Sequence, residues 1–305
     1  MSRSLKAHLL LVQATLIWGS TFVVVKAALK FASPLVFTTI RMTVAAIFLA
    51  LFFHKSMRRI SRPALAAGSA VGLLLFMGYA LQTTGLNLTT PSKSAFLSSS
   101  SAVLVPVLLM VFWRTRIDPW RIIGIVAAFA GLFLMTVPAD KSGIADLAKV
   151  NTGDVLTIFA AIAFAFQIIL VGRATRLFPF EQIVTIQIAV MALLMGLAAP
   201  LVDTPRFQPS VTLIAAILVT AALPTAVAFG VQAWAQQFTP ASHTALIFTL
   251  EPVFAWLTSL IVMQERLGSR AGMGALLILA GVLLSQLLGH ASHLESEVAA
   301  RSSPG

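Results

Sequence analysis

Glu251 is an acidic side chain placed inside an apolar run, about nine residues into the stretch 242–263 and next to Pro252. An ionised carboxylate at that depth in hydrocarbon costs several kcal/mol unless it is paired, hydrated or protonated. It reads either as a proton carrier or ligand for a substrate amine, or as a brace bonded to backbone that the proline has opened. Arg41, about eight residues into the stretch 34–53, is the corresponding cation. It suits a substrate carboxylate, a pair with Glu251, or a brace on backbone carbonyls. Lys26 lies about a turn from the end of its stretch and can snorkel, and Lys93 opens another stretch, where an interfacial role fits.

Aromatic and uncharged polar residues surround these charges. Trp18, Phe22 and Lys26 are spaced i, i+4 and i+8 and share one helical face. With Gly19, Ser20 and Thr21 beside them they form a wall for a flat or amine-bearing substrate, or a site of tight helix packing. Tyr79, the only tyrosine, precedes Gln82 by three residues, with Asn87 further along. Gln167, Gln187, Gln232 and Trp234 each suit interhelical hydrogen bonding, and as a set they suit amide contacts to a polar metabolite. The run Ser98–Ser101 either back-bonds to its own helix or lines a wet cavity, Ser98 being the cavity candidate. Pro106, Pro224 and Pro252 each remove a helical hydrogen bond and are kink or gate candidates. His243 reads as interfacial.

Several chemistries are excluded. No cysteine is present, so there is no disulfide, thiolate site or Cys-ligated zinc. No Gly-x-x-x-x-Gly-Lys-Ser/Thr loop occurs. The five aspartates (Asp118, Asp140, Asp146, Asp154, Asp203) lie in or beside loops and the histidines are scattered. The expectation is therefore no metal, no cofactor and no catalysis, a membrane-embedded enzyme being the competing class.

The elements that position these residues are ten apolar stretches: 7–29, 34–53, 64–87, 91–112, 119–138, 154–172, 182–202, 210–233, 242–263 and 268–289. Hydrocarbon about 30 Å thick needs about 20 helical residues. Hydrophobic residues make up 58% of the 305 and charged residues 10%, and continuous rather than alternating runs exclude a barrel. The fold class is an all-α membrane protein of ten transmembrane helices. The first stretch has no convincing cleavage site and reads as a retained helix. The loop 139–153 suits one short surface helix, and 290–305 reads as a disordered tail.

The net charge of +11 invites a nucleic-acid partner, but the basic residues sit in short loops. With a cytoplasmic N-terminus, twelve of them fall inside, from Arg3 to Arg301, against eight outside, from Lys26 to Arg270. The cluster Lys55–Arg62 is the strongest anchor. The positive-inside rule then puts both termini in the cytoplasm, and the partners expected are a lipid bilayer and a small-molecule substrate, not nucleic acid.

The two halves, 7–138 and 154–289, repeat at an offset of 150. Ala95 matches Ala245, Arg116 matches Arg266, Gly124 matches Gly274, Ala130-Gly131 matches Ala280-Gly281 and Leu134 matches Leu284. Near the start the offset is 146, pairing Trp18 with Phe164 and Lys30 with Arg176. Five helices per half is odd, so each helix crosses in the opposite sense to its counterpart. That inverted repeat is a common plan of secondary transporters, with the substrate near the midplane on interrupted helices. Gly68-x-x-x-Gly72 and Gly268-x-x-x-Gly272 read as close-packing motifs.

The combination Trp18-Gly19-Ser20-Thr21-Phe22, Thr39-Ile40-Arg41, Thr90-Pro91-Ser92-Lys93-Ser94-Ala95-Phe96-Leu97, Leu250-Glu251-Pro252-Val253-Phe254 and Glu265-Arg266-Leu267 resembles the drug/metabolite transporter superfamily, with two EamA-type repeats over about residues 7–289. The resemblance implies ten helices, cytoplasmic termini in a bacterial inner membrane, a central cavity and transport of small metabolites. Thr115 and Ser101 stand in the first repeat where the second has Glu265 and Glu251, which puts a symmetric acidic pair in doubt. The expectation is a secondary transporter of a small polar metabolite such as an amino acid, working by alternating access. A proton-coupled drug or quaternary-ammonium antiporter is the runner-up, and a homodimer is compatible with either.

Overall fold

The computed structural model describes residues 2–86, 88–89, 91–115, 118–137, 150–202, 204–262 and 269–302. The side chains of 22, 26, 91–93, 95, 202, 259 and 286–302 fall outside that description. Asn87, Thr90, Arg116, most of the loop expected over 139–153, Asp203, Glu265-Arg266-Leu267 and Gly268 therefore lie outside the described residues, as do the side chains of Phe22, Lys26 and Lys93.

The chain is all-helical. In order the helices are α1 (Arg3–Ala28), α2 (Pro34–Phe52), α3 (Arg62–Leu86), α4 in two segments (Pro91–Ser99 and Ser101–Trp113) and α5 (Pro119–Thr136). Then come α6 (Thr152–Leu177), α7 (Phe180–Val202), α8 (Val211–Thr220, a π-helical stretch Ala221–Val227, and Ala228–Ala235), α9 in two segments (Ala241–Phe248 and Glu251–Val262) and α10 (Ser269–Ser302). One helical turn, His54–Met57, lies between α2 and α3. Among the described residues nine helices are long and apolar enough to cross a membrane, and Ser269–Ser285 is a shorter apolar helix. The protein is an integral, multi-pass membrane protein. Starts are set by local chemistry: Pro34 and Pro119 sit at first helical positions, and Asn151 and Asp154 form a capping box on α6. α10 runs as helix to Ser302, into the stretch expected as a tail from 290.

Many helix contacts recur when the two halves are exchanged, while others, such as α6–α7 and α7–α8, have no counterpart of like extent in α1–α2 and α2–α3. Helices α2, α4 and α5 pack on their own counterparts α7, α9 and α10. Others come in exchanged pairs: α1–α8 with α6–α3, α1–α9 with α6–α4, and α2–α8 with α7–α3. The α5–α10 crossing is the tightest. Gly124 meets the carbonyl of Gly281 and Gly131 that of Gly274, and each relation also holds in reverse. A Cβ on Gly124 or Gly274 would lie 2.5 Å from the facing carbonyl oxygen. Gly124/Gly274 and Gly131/Gly281 are counterparts at the offset of 150, so the two helices run antiparallel, as an inverted repeat requires.

Of the two small-residue motifs, the first packs: Cβ atoms on Gly68 and Gly72 would lie 2.7 Å from Ile186 and 2.8 Å from the Gln187 carbonyl of α7. In the second, Gly268 lies outside the described residues, and Gly272 has nothing within 4 Å. The central core gathers Met42, Leu75, Val171, Ile188, Met191 and Phe229, with Trp18, Tyr79 and Phe164 packed against it.

Candidate functional site

Two helices break at matching places. In α4 the Ser100 amide donates to Leu97 O (3.2 Å), and in α9 the Leu250 amide donates to Ile247 O (3.0 Å). Ser100 and Leu250 are counterparts at the offset of 150, so each repeat tightens one turn at the same point before a new helical segment begins. Hydroxyls cover the loosened carbonyls, Ser100 Oγ donating to Leu97 O (2.5 Å) and Thr249 Oγ1 to Leu246 O (2.6 Å). Pro252 follows the break in α9. Pro106 lies inside the unbroken segment Ser101–Trp113, so the interruption of α4 belongs to the serine run and not to the proline. Ser98 donates its hydroxyl to Ser94 O within α4 and is buried.

Glu251 opens the second segment of α9, where the partial positive charge of a helix N-terminus favours a carboxylate. Its backbone carbonyl lies 2.7 Å from where a Cβ on Gly19 of α1 would stand, so the glycine lets the helices touch there. Tyr79 of α3 lies within electrostatic range of both Glu251 and Arg41. Arg41 is buried at 9% exposure. Its guanidinium faces Tyr79 and stands 5.8 Å from the centroid of the Phe37 ring. The Arg41 Nε has no hydrogen-bond partner, and among the described residues no ion pair joins Arg41 to Glu251. The direct pair offered as one role for Arg41 is absent among the described residues, and the guanidinium meets Tyr79 instead. Gln82, three residues beyond Tyr79, is half-buried.

Trp18 bridges repeats. Its indole N–H donates to Pro224 O (2.7 Å), and its ring meets Phe229 and Phe248 edge-on at 5.3 and 4.9 Å. Pro224 sits in the π-helical stretch of α8, where it cannot donate to Thr220 O. The Thr225 hydroxyl donates there instead (2.8 Å). Ser20 and Thr21 bond back to Ile17 O at 3.2 and 2.8 Å, so their hydroxyls complete α1.

The glutamines form a chain of their own. Gln167 Nε2 donates to Gln187 Oε1 (3.1 Å), Gln232 Nε2 to Gln167 Oε1 (3.4 Å) and to Gln236 Oε1 (3.2 Å), and Gln236 Nε2 to Ile168 O (2.8 Å). All four are buried. Gln167 is therefore occupied in joining α6, α7 and α8. Gln236, which spacing did not single out, is one helical turn from Gln232. Trp234 lies elsewhere: Lys6 Nζ stands 5.6 Å from its ring and Phe238 stacks beside it at 5.1 Å, at the end of the bundle where the N-terminus lies. There His8 Nε2 meets His243 Nδ1 at 3.3 Å. His243 is buried at that end of the bundle, and His8, its partner on α1, gave no signal in the sequence.

The structure thus brings Trp18, Arg41, Tyr79 and Glu251 to one neighbourhood from α1, α2, α3 and α9, beside the paired breaks. Among the described residues no group of three or more His, Cys, Asp or Glu could hold a metal ion.

Comparison with known proteins agrees with this architecture. A solved crystal structure superposes with a TM-score of 0.79 over 93% of this chain and 97% of its own, at 18% identity, and so shares the fold. A protein of Archaeoglobus fulgidus named as an uncharacterized transporter is 34% identical over 93% of this chain and 87% of its own length. The uncharacterized transporter YoaV of Bacillus subtilis is 23% identical over 92% and 96%. Residues 5–137 and 151–287 each match the EamA-like transporter family, and this chain, a transporter of the drug/metabolite type, belongs to it.

Proposed function

We propose that the protein is a secondary transporter of a small polar metabolite such as an amino acid, working by alternating access around one midplane cavity. The observation that carries the reading is the group at the paired breaks. A buried guanidinium with an open Nε and a half-buried carboxylate face the same tyrosine without neutralising each other. Two opposite charges held apart match a zwitterion, whose carboxylate would meet Arg41 and whose ammonium would meet Glu251. Trp18, with Phe229 and Phe248, supplies an apolar wall. The breaks in α4 and α9 give both repeats a bending point at the same depth, which suits rocking of one half against the other. The basic loops favour a cytoplasmic N-terminus in a bacterial inner membrane.

The test is uptake and counterflow in proteoliposomes with a pooled metabolite panel, with and without a pH gradient. Accumulation of an amino acid that collapses with the gradient supports proton-coupled transport, and Glu251→Gln should then abolish accumulation while counterflow persists with a raised KM, the ammonium having lost its carboxylate. Gradient-independent exchange makes the protein a facilitator and leaves Glu251 a ligand. Movement of lipophilic cations alone favours the antiporter reading, which Arg41 opposes by repulsion.

A further inference from the structure

We propose that the turn between α2 and α3, with the lipid-facing side of α2 beneath it, is a binding site for an anionic phospholipid of the leaflet on the N-terminal side. Lys55, Arg58, Arg59 and Arg62 fall within eight consecutive positions containing no acidic residue, and all four are exposed. Among the described residues none is ion-paired to a carboxylate. Glu181, in the first turn of α7, is the acidic residue beside the element that holds this turn, and it forms no pair with them.

Orientation alone explains why basic residues collect on this side. It does not require the turn that carries them to be fixed, and this turn is. Residues His54–Met57 form a helical turn. The buried Gln182 of α7 donates through Nε2 to Ser56 O (2.9 Å) and Arg59 O (3.3 Å). The Phe53 and Phe180 rings meet edge-on at 5.9 Å. The four cations are therefore presented from a braced backbone, which lowers the ordering cost of gathering them around one phosphate.

Directly along the chain, Ile47, Phe48, Leu51 and Phe52 are 56, 50, 69 and 68% exposed. They occupy one face of α2, and the Phe48 and Phe52 rings stack at 6.0 Å. An acyl chain lying on that column ends with its headgroup at Lys55 and Arg58. Charge above and an apolar stripe below match a phospholipid, whereas a free phosphate would use only the upper half. Juxtamembrane clusters of this size are the usual electrostatic signature for anionic headgroups.

The experiment is native mass spectrometry of the purified full-length chain in neutral detergent, titrated with phosphatidylglycerol or with phosphatidylcholine of the same acyl chains. Because binding is read in detergent, a change in membrane orientation does not confound it. The wild type should retain phosphatidylglycerol over phosphatidylcholine by about tenfold. K55Q/R58Q/R59Q/R62Q should bring that ratio near one, while R173Q/R176Q, on a neighbouring turn, keeps it. Gln182→Ala leaves all four charges but frees the turn, and should lower the ratio by about two- to threefold. Glycerophosphoglycerol, which lacks acyl chains, should not compete. A quadruple variant with the wild-type ratio, or a wild type indifferent to headgroup, overturns the proposal. A Gln182→Ala ratio equal to wild type overturns the braced site in favour of diffuse charge.

Discussion

Burying a guanidinium away from any carboxylate is costly, and Arg41 is buried with Tyr79 and the Phe37 ring as neighbours and Nε unpartnered. A substrate carboxylate would supply the missing acceptor. A hydrogen bond to a charged group contributes about 1.5–3 kcal/mol. Arg41→Gln should therefore raise the KM for the transported metabolite by about tenfold to a hundredfold. Arg41→Lys should recover little of that loss, because a compact ammonium cannot reproduce the planar fork. Counterflow kinetics check this; an unchanged KM with a lowered thermal midpoint would make Arg41 a brace. Trp18 gives a second residue-scale case with a structural readout. Trp18→Phe keeps the ring contacts to Phe229 and Phe248 but removes the 2.7 Å bond to Pro224 O. A carbonyl left unsatisfied costs about 1–3 kcal/mol, so the thermal midpoint in detergent should fall by a few degrees, roughly as expected for a chain of this size.

Glycines at helix crossings give the sharpest element-scale expectation. At Gly131 and Gly274 the nearest colliding atom is a carbonyl oxygen of the facing backbone, which cannot swing aside as a side chain can. Gly131→Ala and Gly274→Ala should each lower stability by about 1–3 kcal/mol, the cost of overpacking, and the double variant should fall short of their sum because both spread one crossing. Gly230→Ala and Gly272→Ala, with nothing within 4 Å of the added carbon, should be neutral or slightly stabilising. Detergent melting curves of the four variants separate the classes. At this same scale the sequence was legible where chemistry runs along one helix. The apolar runs 34–53 and 119–138 became Pro34–Phe52 and Pro119–Thr136, and Gly68 and Gly72 pack as their spacing suggests. Legibility failed where the deciding partner sits on another helix. Interhelical hydrogen bonding by Gln167, Gln187 and Gln232 was legible from residue type, but which glutamine meets which, and that Gln236 joins them, was not. The same limit hid that Gly272 has open space beside it and that Trp234 lies under Lys6 rather than near Arg41. At α4 the break itself was not legible: a serine run closes a tight turn with its own hydroxyls, so the helix breaks at Ser100 while Pro106 rides within a continuous segment.

At the scale of the whole molecule, the α2–α7 pair is tied at both ends. On the face opposite the N-terminus, Ala32 and Phe207 form an antiparallel bridge. The Ser33 amide donates to Arg206 O (2.9 Å), the Gln208 amide donates to Phe31 O (2.8 Å), and an Arg206 terminal nitrogen donates to Leu29 O (3.0 Å). On the N-terminal face, Gln182 holds the turn after α2 by two carbonyls. A seam latched on both faces suits a unit that moves as one body better than a seam that opens alternately to each side. The contacts of α1 with the second repeat are of another kind: near the N-terminus they are side-chain meetings, Lys6 over Trp234 and His8 with His243. Under the proposed alternating access, α1 should part from α8 and α9 while α2 and α7 stay together. The absence of cysteine makes this directly testable, since any introduced pair is the only pair. Antiparallel bridged residues have Cα atoms about 4.5–5.5 Å apart, within disulfide range, so oxidised A32C/F207C should transport within about twofold of its reduced form. H8C/H243C joined by a short bifunctional thiol reagent should lose transport and regain it when a cleavable reagent is cut. Loss of transport in oxidised A32C/F207C would move the gate to the α2–α7 seam. Full transport by the cross-linked His8/His243 pair would mean that α1 and α9 travel as one body.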